Sequence, residues 1–215
     1  MNKNMNSIEN ENMKDIFKDS GKILLDEFIE TFWKDNAYLI KLGLIITKLP
    51  LSIRDYVLWK RVEKLIRGIK SDPDFEARFA AKIANTDKRE DFARRIILIL
   101  DKIDESEKVD YIINAMRALC WNKIDNSQFF RICKAIRGVY IDDLIFLKDH
   151  YKEDRYFFMD MTVQELTSYN LMYMAVVDGG SPDPEYKPST HAFTELGALV
   201  YYNALNYEQP KRIME

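Results

Sequence analysis

The sequence predicts a mainly α-helical protein, in which an antiparallel helical bundle is followed by a smaller C-terminal unit that mixes helices and strands. Two observations lead to this fold class. Seven glycines and six prolines in 215 residues are few, and four of those prolines lie in the last third of the chain. Apolar residues recur at helical spacing through the first two thirds, which lack the turn residues that many short strands need. A hydrophobic content of 47% is enough to form a packed core.

The first predicted element is an amphipathic helix over residues 15–34. Ile16, Leu24, Phe28 and Phe32 recur at spacings of four and eight, which places them on one face. The preceding residues 1–14 are rich in Asn and charge and lack the apolar core of a signal peptide. We therefore expect a cytoplasmic protein.

The second element is an apolar segment over residues 37–53, followed by a basic flank. Lys41, Lys48 and Pro50 interrupt the segment and make a conventional transmembrane helix a poor fit. Cations that follow apolar and aromatic residues are typical of a segment that enters an anionic lipid surface. The predicted membrane or oligomer segment comprises Leu39, Leu42, Leu44, Ile45, Ile46, Leu49, Tyr56 and Trp59, and the basic flank comprises Arg54, Lys60, Arg61, Lys64 and Arg67.

The same pattern has a second interpretation, a central core helix with a solvated basic neighbour, and the sequence leaves both open. In the first case the protein associates with the inner membrane, peripherally or integrally, or forms a homo-oligomer through this segment. We divide the chain at this flank, so that residues 1–70 form the N-terminal part, residues 71–152 the helical bundle and residues 153–215 the C-terminal unit.

Helix start and stop residues are frequent from residue 71 onward. Asp72 before Pro73 is typical of an N-cap followed by proline at the first helical position. Asp87 and Glu90 have the spacing of a capping box, and Gly138 is placed to end a helix. Short loops between five predicted helices indicate an antiparallel bundle. Its predicted apolar faces contain Phe75, Phe79, Ile83, Phe92, Ile96, Leu100, Ile103, Val109, Ile113, Met116, Cys120, Phe129, Ile132, Cys133, Ile136, Leu144, Ile145 and Leu147.

The C-terminal unit has the element order of a winged helix. A helix that begins near Thr162 and runs to about Met174 is followed by a short strand, and the Gly- and Pro-rich residues 179–190 form the predicted wing. The chain returns through His191 into a last helix capped by Thr194. The fold class is therefore mainly α, an antiparallel helical bundle with a small winged-helix-like C-terminal unit.

Two segments carry a resemblance to known proteins. The bundle from Asp91 to His150 resembles a diffuse group of helical proteins of bacterial chromosomes, prophages and mobile elements. The ending Phe193-Thr-Glu-Leu-Gly197 is similar to the start of the last helix in many winged-helix domains. Some members of the first group resemble effectors of phage-defence loci that act at the inner membrane. The resemblance implies such an effector, and it carries over no functional residues.

The residues that enzymes use most often are scarce. The seven glycines form neither a Walker pattern nor a dinucleotide fingerprint, and His150 and His191 lack zinc-site spacing. Cys120 and Cys133 lie in apolar helical stretches, which predicts buried free thiols. We predict a protein with no catalytic residues, no metal and no cofactor, in which His150 bonds a carbonyl at a helix end.

The alternative functions are binding functions. The predicted recognition helix lacks a cation, so stacking of a short oligonucleotide on tyrosines fits it better than duplex DNA does. The net charge of −3 also disfavours coating of DNA. A protein-binding adaptor or inhibitor is the remaining alternative. The candidate surface for a ligand or nucleic acid consists of Gln164, Tyr169, Asn170, Tyr173 and Lys187.

Overall fold

The computed structural model describes residues 53–84, 89–151, 157–176 and 190–208. These residues are mainly helical and include a small antiparallel sheet, which confirms the predicted helical class. The chain divides into two compact units between Asp101 and Lys102, a boundary that differs from the sequence-based ones at residues 70 and 152. The helix predicted for residues 15–34 and the apolar residues 37–52 lie outside the described residues.

The first unit contains helices α1 (Ile53–Lys70), α2 (Pro73–Ala84) and α3 (Arg89–Asp101), and α1 packs against both of the others. Asp72 caps α2, because its carboxylate accepts hydrogen bonds from the amides of Asp74 and Phe75 at 3.0 and 3.4 Å. This cap was predicted from the Asp-Pro pair. The core is formed by the buried residues Leu58, Val62, Leu65, Ile66, Ile69, Phe75, Phe92, Ile96, Ile97, Ile99 and Leu100.

The second unit begins with helices α4 (Lys108–Cys120), α5 (Asn126–Gly138) and α6 (Ile141–His150). A capping box starts α5, in which the Asp125 carboxylate accepts from the Gln128 amide and the Gln128 side chain accepts from the Asp125 amide. The predicted apolar faces are buried in these helices, with one exception. Ile145 is exposed on α6, so its assignment to the core was wrong.

A three-stranded antiparallel sheet follows, in the order β1-β3-β2. Its strands are β1 (Phe157–Phe158), β2 (Met172–Val176) and β3 (Thr190–Phe193), and helix α7 (Met161–Ser168) connects β1 to β2. The register pairs His191 of β3 with Phe157 on one side and Met174 on the other. Between Met174 and Val176 the register shifts, which marks a bulge.

Helix α8 (Glu195–Val200) continues as a π-helical turn over Tyr201–Leu205. Helix α8 packs against α5 and β3, and the π turn packs against α4, α6 and α8. The Asn114 amide of α4 donates to the carbonyl of Ala204 at 2.9 Å, which satisfies a backbone acceptor of the π turn. The last helix therefore joins the sheet to the helices that precede it.

The predicted helix from Thr162 to Met174 was wrong at both ends. The capping residue is Asp160, whose carboxylate accepts from the Val163 amide at 2.7 Å, and the helix ends at Ser168. Asn170 then adopts a left-handed conformation with φ of 59°, which Asn tolerates better than most residues and which turns the chain into β2. Part of the predicted helix is therefore strand.

A partly buried ion pair, not foreseen in the sequence, lies at the start of α4. The Lys108 side chain is fully buried, and its ammonium donates to the Asp104 carboxylate at 2.6 Å. Partial burial by itself would raise the pKa of the Asp104 carboxyl. The hydrogen bonds from Lys108 and from backbone amides outweigh burial and hold this pKa below its ordinary value of 3.8.

We expect Asp104→Asn to lower the free energy of unfolding by about 1–3 kcal/mol, less than for a fully buried pair because Asp104 is half exposed. Lys108→Met should cost less, since it removes the buried charge together with its need for a partner. The pKa of the Asp104 carboxyl is lower in the folded protein than in the unfolded chain, so the ion pair stabilises the fold fully above about pH 3.8. This stabilisation is lost as the pH falls through the folded-state pKa. Urea unfolding of both variants between pH 3 and 7 measures these differences, and equal losses at pH 7 would contradict the ion pair.

Candidate functional site

The geometry of the C-terminal sheet depends on Thr194, at the junction of β3 and α8. The Thr194 amide donates to the Leu171 carbonyl at 3.0 Å, and its hydroxyl donates to the Asn170 carbonyl at 2.6 Å. The same hydroxyl oxygen accepts from the Gly197 amide at 2.9 Å, which makes Thr194 the N-cap that the sequence predicts. These bonds connect the turn before β2 to the start of the last helix.

Gly197 is required at this junction by a close approach of backbone. A Cβ atom at this position would lie 2.3 Å from the Leu171 carbonyl oxygen, a contact that real side chains do not make. Gly138 has a related role, since a Cβ there would lie 2.1 Å from the Tyr169 ring. The sequence predicts only a helix stop at Gly138. In the structure this glycine also provides room for the Tyr169 ring.

The most exposed apolar side chains of the second unit include those near the sheet. Tyr173 and Met174 of β2 are 49% and 46% exposed, and Met159 and Met161 are exposed beside the start of α7. Within the sheet order β1-β3-β2 of the described residues, β2 is an edge strand. Tyr173 and Met174 are consecutive in the strand, so they emerge on opposite faces of the sheet. This edge of β2 is the candidate functional site.

The structure does not place the predicted ligand surface on one helix. Gln164 lies exposed in α7, Tyr169 is at the end of that helix against Gly138, and Asn170 is in the left-handed turn. Tyr173 belongs to β2, and Lys187 lies outside the described residues. The expectation that one recognition helix carries Gln164, Tyr169, Asn170 and Tyr173 was therefore wrong, because the chain turns at Asn170.

Charge is distributed unevenly around the sheet. The described residues 157–176 and 190–208 contain no Lys or Arg and four carboxylates, Asp160, Glu165, Glu195 and Glu208. Duplex DNA is gripped largely through cations at its phosphates. These elements alone therefore offer nothing that would hold a phosphate backbone by charge.

A second concentration of negative charge lies where the loop before α4 meets α6. Asp142 and Glu105, the largest causes, raise the pKa of the exposed Tyr140 phenol. Burial, and then the carboxylates of Asp104, Glu107 and Asp142, raise the pKa of Glu105 although Lys108 partly offsets them. Burial and the carboxylates of Asp110, Asp149 and Glu107 likewise raise the pKa of Tyr111. This surface disfavours anionic partners.

The basic flank lies in α1, and several of its cations have partners within the first unit. The Arg61 guanidinium donates to the carbonyls of Leu100 and Asp101, at 2.9 and 3.4 Å, at the C-terminal end of α3. Lys60 and Arg67 contact the Glu63 carboxylate at 3.2 and 2.6 Å. Burial alone would raise the pKa of Glu63, but these two cations lower it below its ordinary value.

The remaining members of the flank and of the apolar segment are only partly described. Lys64 is half-buried in α1, and Arg54, Tyr56 and Trp59 also lie in this helix. The predicted members Leu39, Leu42, Leu44, Ile45, Ile46 and Leu49 lie outside the described residues. Among the helices that are described, none combines the length and apolarity needed to cross a membrane.

The two histidines and two cysteines occupy different environments. The Nδ1 atom of His150 donates to the Phe146 carbonyl at 3.0 Å, as predicted for a helix end. His191 is fully buried in β3, and neither of its ring nitrogens has a hydrogen-bond partner among the described residues. Cys120 and Cys133 are free and buried, as predicted. Across the described ranges, no three His, Cys, Asp or Glu side chains are grouped so that they could hold a metal ion.

A cleft of about 340 Å³ lies between the starts of α5 and α8. Much of its polar lining is already bonded internally, since Asp125 and Gln128 form the capping box and Thr194 caps α8. Arg131 and Glu195 bring opposite charges to the same cleft. No His or Cys is among its described lining residues.

Comparison of the chain with protein-family models, with curated proteins and with solved structures finds no match. The resemblance to helical proteins of mobile elements therefore stays a prediction from the sequence. The surfaces of the molecule therefore provide the grounds for inferring its function.

We expect Arg61→Met to lower the free energy of unfolding by about 1–3 kcal/mol, because charged hydrogen bonds to the end of α3 are lost. Lys60→Met is the matched control in the same helix. Its partner Glu63 is paired at the surface, so this change should cost less than about 0.5 kcal/mol. Urea unfolding measures the free energy of unfolding of both variants. Equal losses would contradict a stabilising role for the hydrogen bonds from Arg61 to the end of α3.

Proposed function

We propose that this protein is a non-enzymatic helical effector whose C-terminal unit recognises a protein partner. The observation that carries the proposal is the edge of β2, where apolar side chains are exposed in a part of the chain whose described residues contain no Lys or Arg. Exposed apolar surface next to a sheet is typical of protein contacts. Recognition of a partner through this unit would regulate the rest of the chain.

The C-terminal unit is winged-helix-like in this proposal. The sheet order β1-β3-β2, with a helix between β1 and β2, supports that assignment. Winged helices that read DNA place cations or amides on the recognition helix. Helix α7 offers Gln164 but no cation, which favours a protein over a nucleic acid as the partner. The nucleic-acid regulator remains the alternative that experiment must exclude.

The effector part of the proposal concerns residues 37–53. An apolar segment followed by a basic flank supports association with an anionic membrane surface or with further copies of the chain. The partners of Lys60, Arg61 and Arg67 within the first unit reduce what this flank can contribute to lipid binding. Apolar insertion, rather than charge, would then supply most of the membrane affinity.

Affinity purification from expressing cells tests partner recognition. We expect Tyr173→Ser combined with Met174→Ser to lose protein partners that the wild type retains. Leu98→Ser, which changes an exposed apolar residue of the first unit, should retain them. Salt-sensitive co-purification of nucleic acid, unchanged in the double variant, would favour the nucleic-acid regulator instead.

Flotation with vesicles of phosphatidylcholine and phosphatidylglycerol tests the effector segment. We expect the wild type to float and Leu44→Asp to reduce the floating fraction about tenfold, because an aspartate is costly within an inserting segment. Leu98→Asp makes the same exchange at an exposed site in α3 and should float like the wild type. A wild-type protein that stays in the soluble fraction would rule out membrane association through residues 37–53.

A further inference from the structure

The backbone of β2 has a defined outer side. The Leu171 carbonyl accepts a hydrogen bond from the Thr194 amide and therefore faces β3, whereas the Leu171 amide donates to the Leu166 carbonyl. Backbone groups alternate in direction along a strand, and the register pairs Tyr173 with Ala192. The amides and carbonyls of Met172 and Met174 therefore point away from β3. In the described part of the chain no other strand lies on that side.

The described edge lacks the charges and the proline that often prevent strands from pairing with other chains. Protected edges carry charged residues or proline, or are covered by other elements. The β2 sequence Met-Tyr-Met-Ala-Val contains neither a charge nor a proline. Tyr173 and Met174 are about half exposed, whereas Met172 is buried, so the open stretch begins at Tyr173. The bulge after Met174 limits regular pairing beyond it.

Charge indicates what kind of strand would fit. The described sheet and helices α7 and α8, together with the N-cap Asp160, contain three carboxylates and no Lys or Arg, and Glu165 lies in α7, which packs against β2. An incoming strand with Lys or Arg would gain from this field, and an acidic one would be repelled. A second copy of β2 would bring the same carboxylates with it, and these like charges would repel each other.

We propose that β2 accepts an extended segment of a partner protein, with Lys or Arg alternating with apolar residues, as a fourth strand of the sheet. Main-chain hydrogen bonds to the outer amide and carbonyl of Met174, which lies in the open stretch, would supply affinity. Tyr173 and Met174 would contact the side chains of the incoming strand on its two faces. This inference rests on the proposed recognition of a protein and specifies the form in which the partner binds.

Fluorescence anisotropy with labelled hexapeptides tests strand addition on the full-length protein. The probes are a peptide of alternating Lys and Val, the same peptide N-methylated at every residue so that neither edge can pair, and a peptide of alternating Glu and Val. We expect the Lys-Val peptide to bind at least about tenfold more tightly than either of the others. Equal binding of the N-methylated peptide, equal binding of the Glu-Val peptide, or no binding at all overturns the proposal.

A pair of variants at one position separates backbone from side chain. Met174→Pro removes an outward amide, and because that amide does not serve β3 the sheet should persist. We expect this variant to weaken Lys-Val binding about tenfold and Met174→Ala to change it less than about threefold. Unchanged binding by Met174→Pro overturns the proposal. If Met174→Pro fails to fold in a thermal scan, the N-methylated peptide on the wild type decides the question.

Two outcomes distinguish this inference from the function on which it rests. In the first, protein partners are lost from the Tyr173 and Met174 double variant in cells while N-methylation leaves peptide binding unchanged. In that case the surface binds through its side chains, so strand addition is wrong and the recognition of a protein partner stands. If size-exclusion chromatography shows a wild-type dimer that Met174→Pro converts to monomer, a second copy occupies the edge. That result overturns the basic partner segment as the occupant.

Discussion

The contacts of Thr194 connect two parts of the second unit that are far apart in sequence, the turn before β2 and the start of the last helix. Its amide and hydroxyl satisfy the carbonyls of Leu171 and Asn170, and its oxygen caps the helix that begins at Glu195. Gly197 allows this contact because it has no side chain to meet the Leu171 carbonyl. This junction therefore fixes the start of α8 relative to the turn before β2.

The same junction sets the register of β2. With the Thr194 amide bonded to Leu171, Tyr173 must lie opposite Ala192, and a slip by one residue would exchange the two faces of the strand. Met172, which is buried, would then turn toward solvent. In the other direction, α8 leads into the π turn that packs against α4 and α6. The sheet and the helices are therefore held as parts of one unit.

Local rules account for the features that the sequence predicted correctly. Asp72 and Thr194 were identifiable as caps because the capping bond needs only a few residues, and the apolar faces followed from helical spacing. The end of α7 was missed because Val163, Leu166 and Leu171 continue an apolar pattern past the turn. Only the contact between Leu171 and Thr194, 23 residues later, makes the following residues a strand.

Other features depend on contacts that no short motif encodes. The i,i+4 spacing of Asp104 and Lys108 occurs on many exposed helix surfaces, and burial of the lysine distinguishes this pair. The partner of Arg61 lies 39 residues away, so the sequence supported only a solvated or lipid-facing cation. The open edge of β2 likewise requires the order of the strands, which follows from tertiary pairing.

The π turn at Tyr201–Leu205 holds one more residue per turn than an α-helix would, and such turns persist where surrounding contacts compensate for their poorer backbone geometry. Here the Asn114 amide bonds Ala204, and Tyr151 stacks on Tyr201 with ring centroids 4.3 Å apart. If those contacts were lost, relaxation to an α-helix would rotate the following residues by about 100° around the helix axis. Tyr202, which is half exposed, and Asn203, which is buried, would then exchange environments.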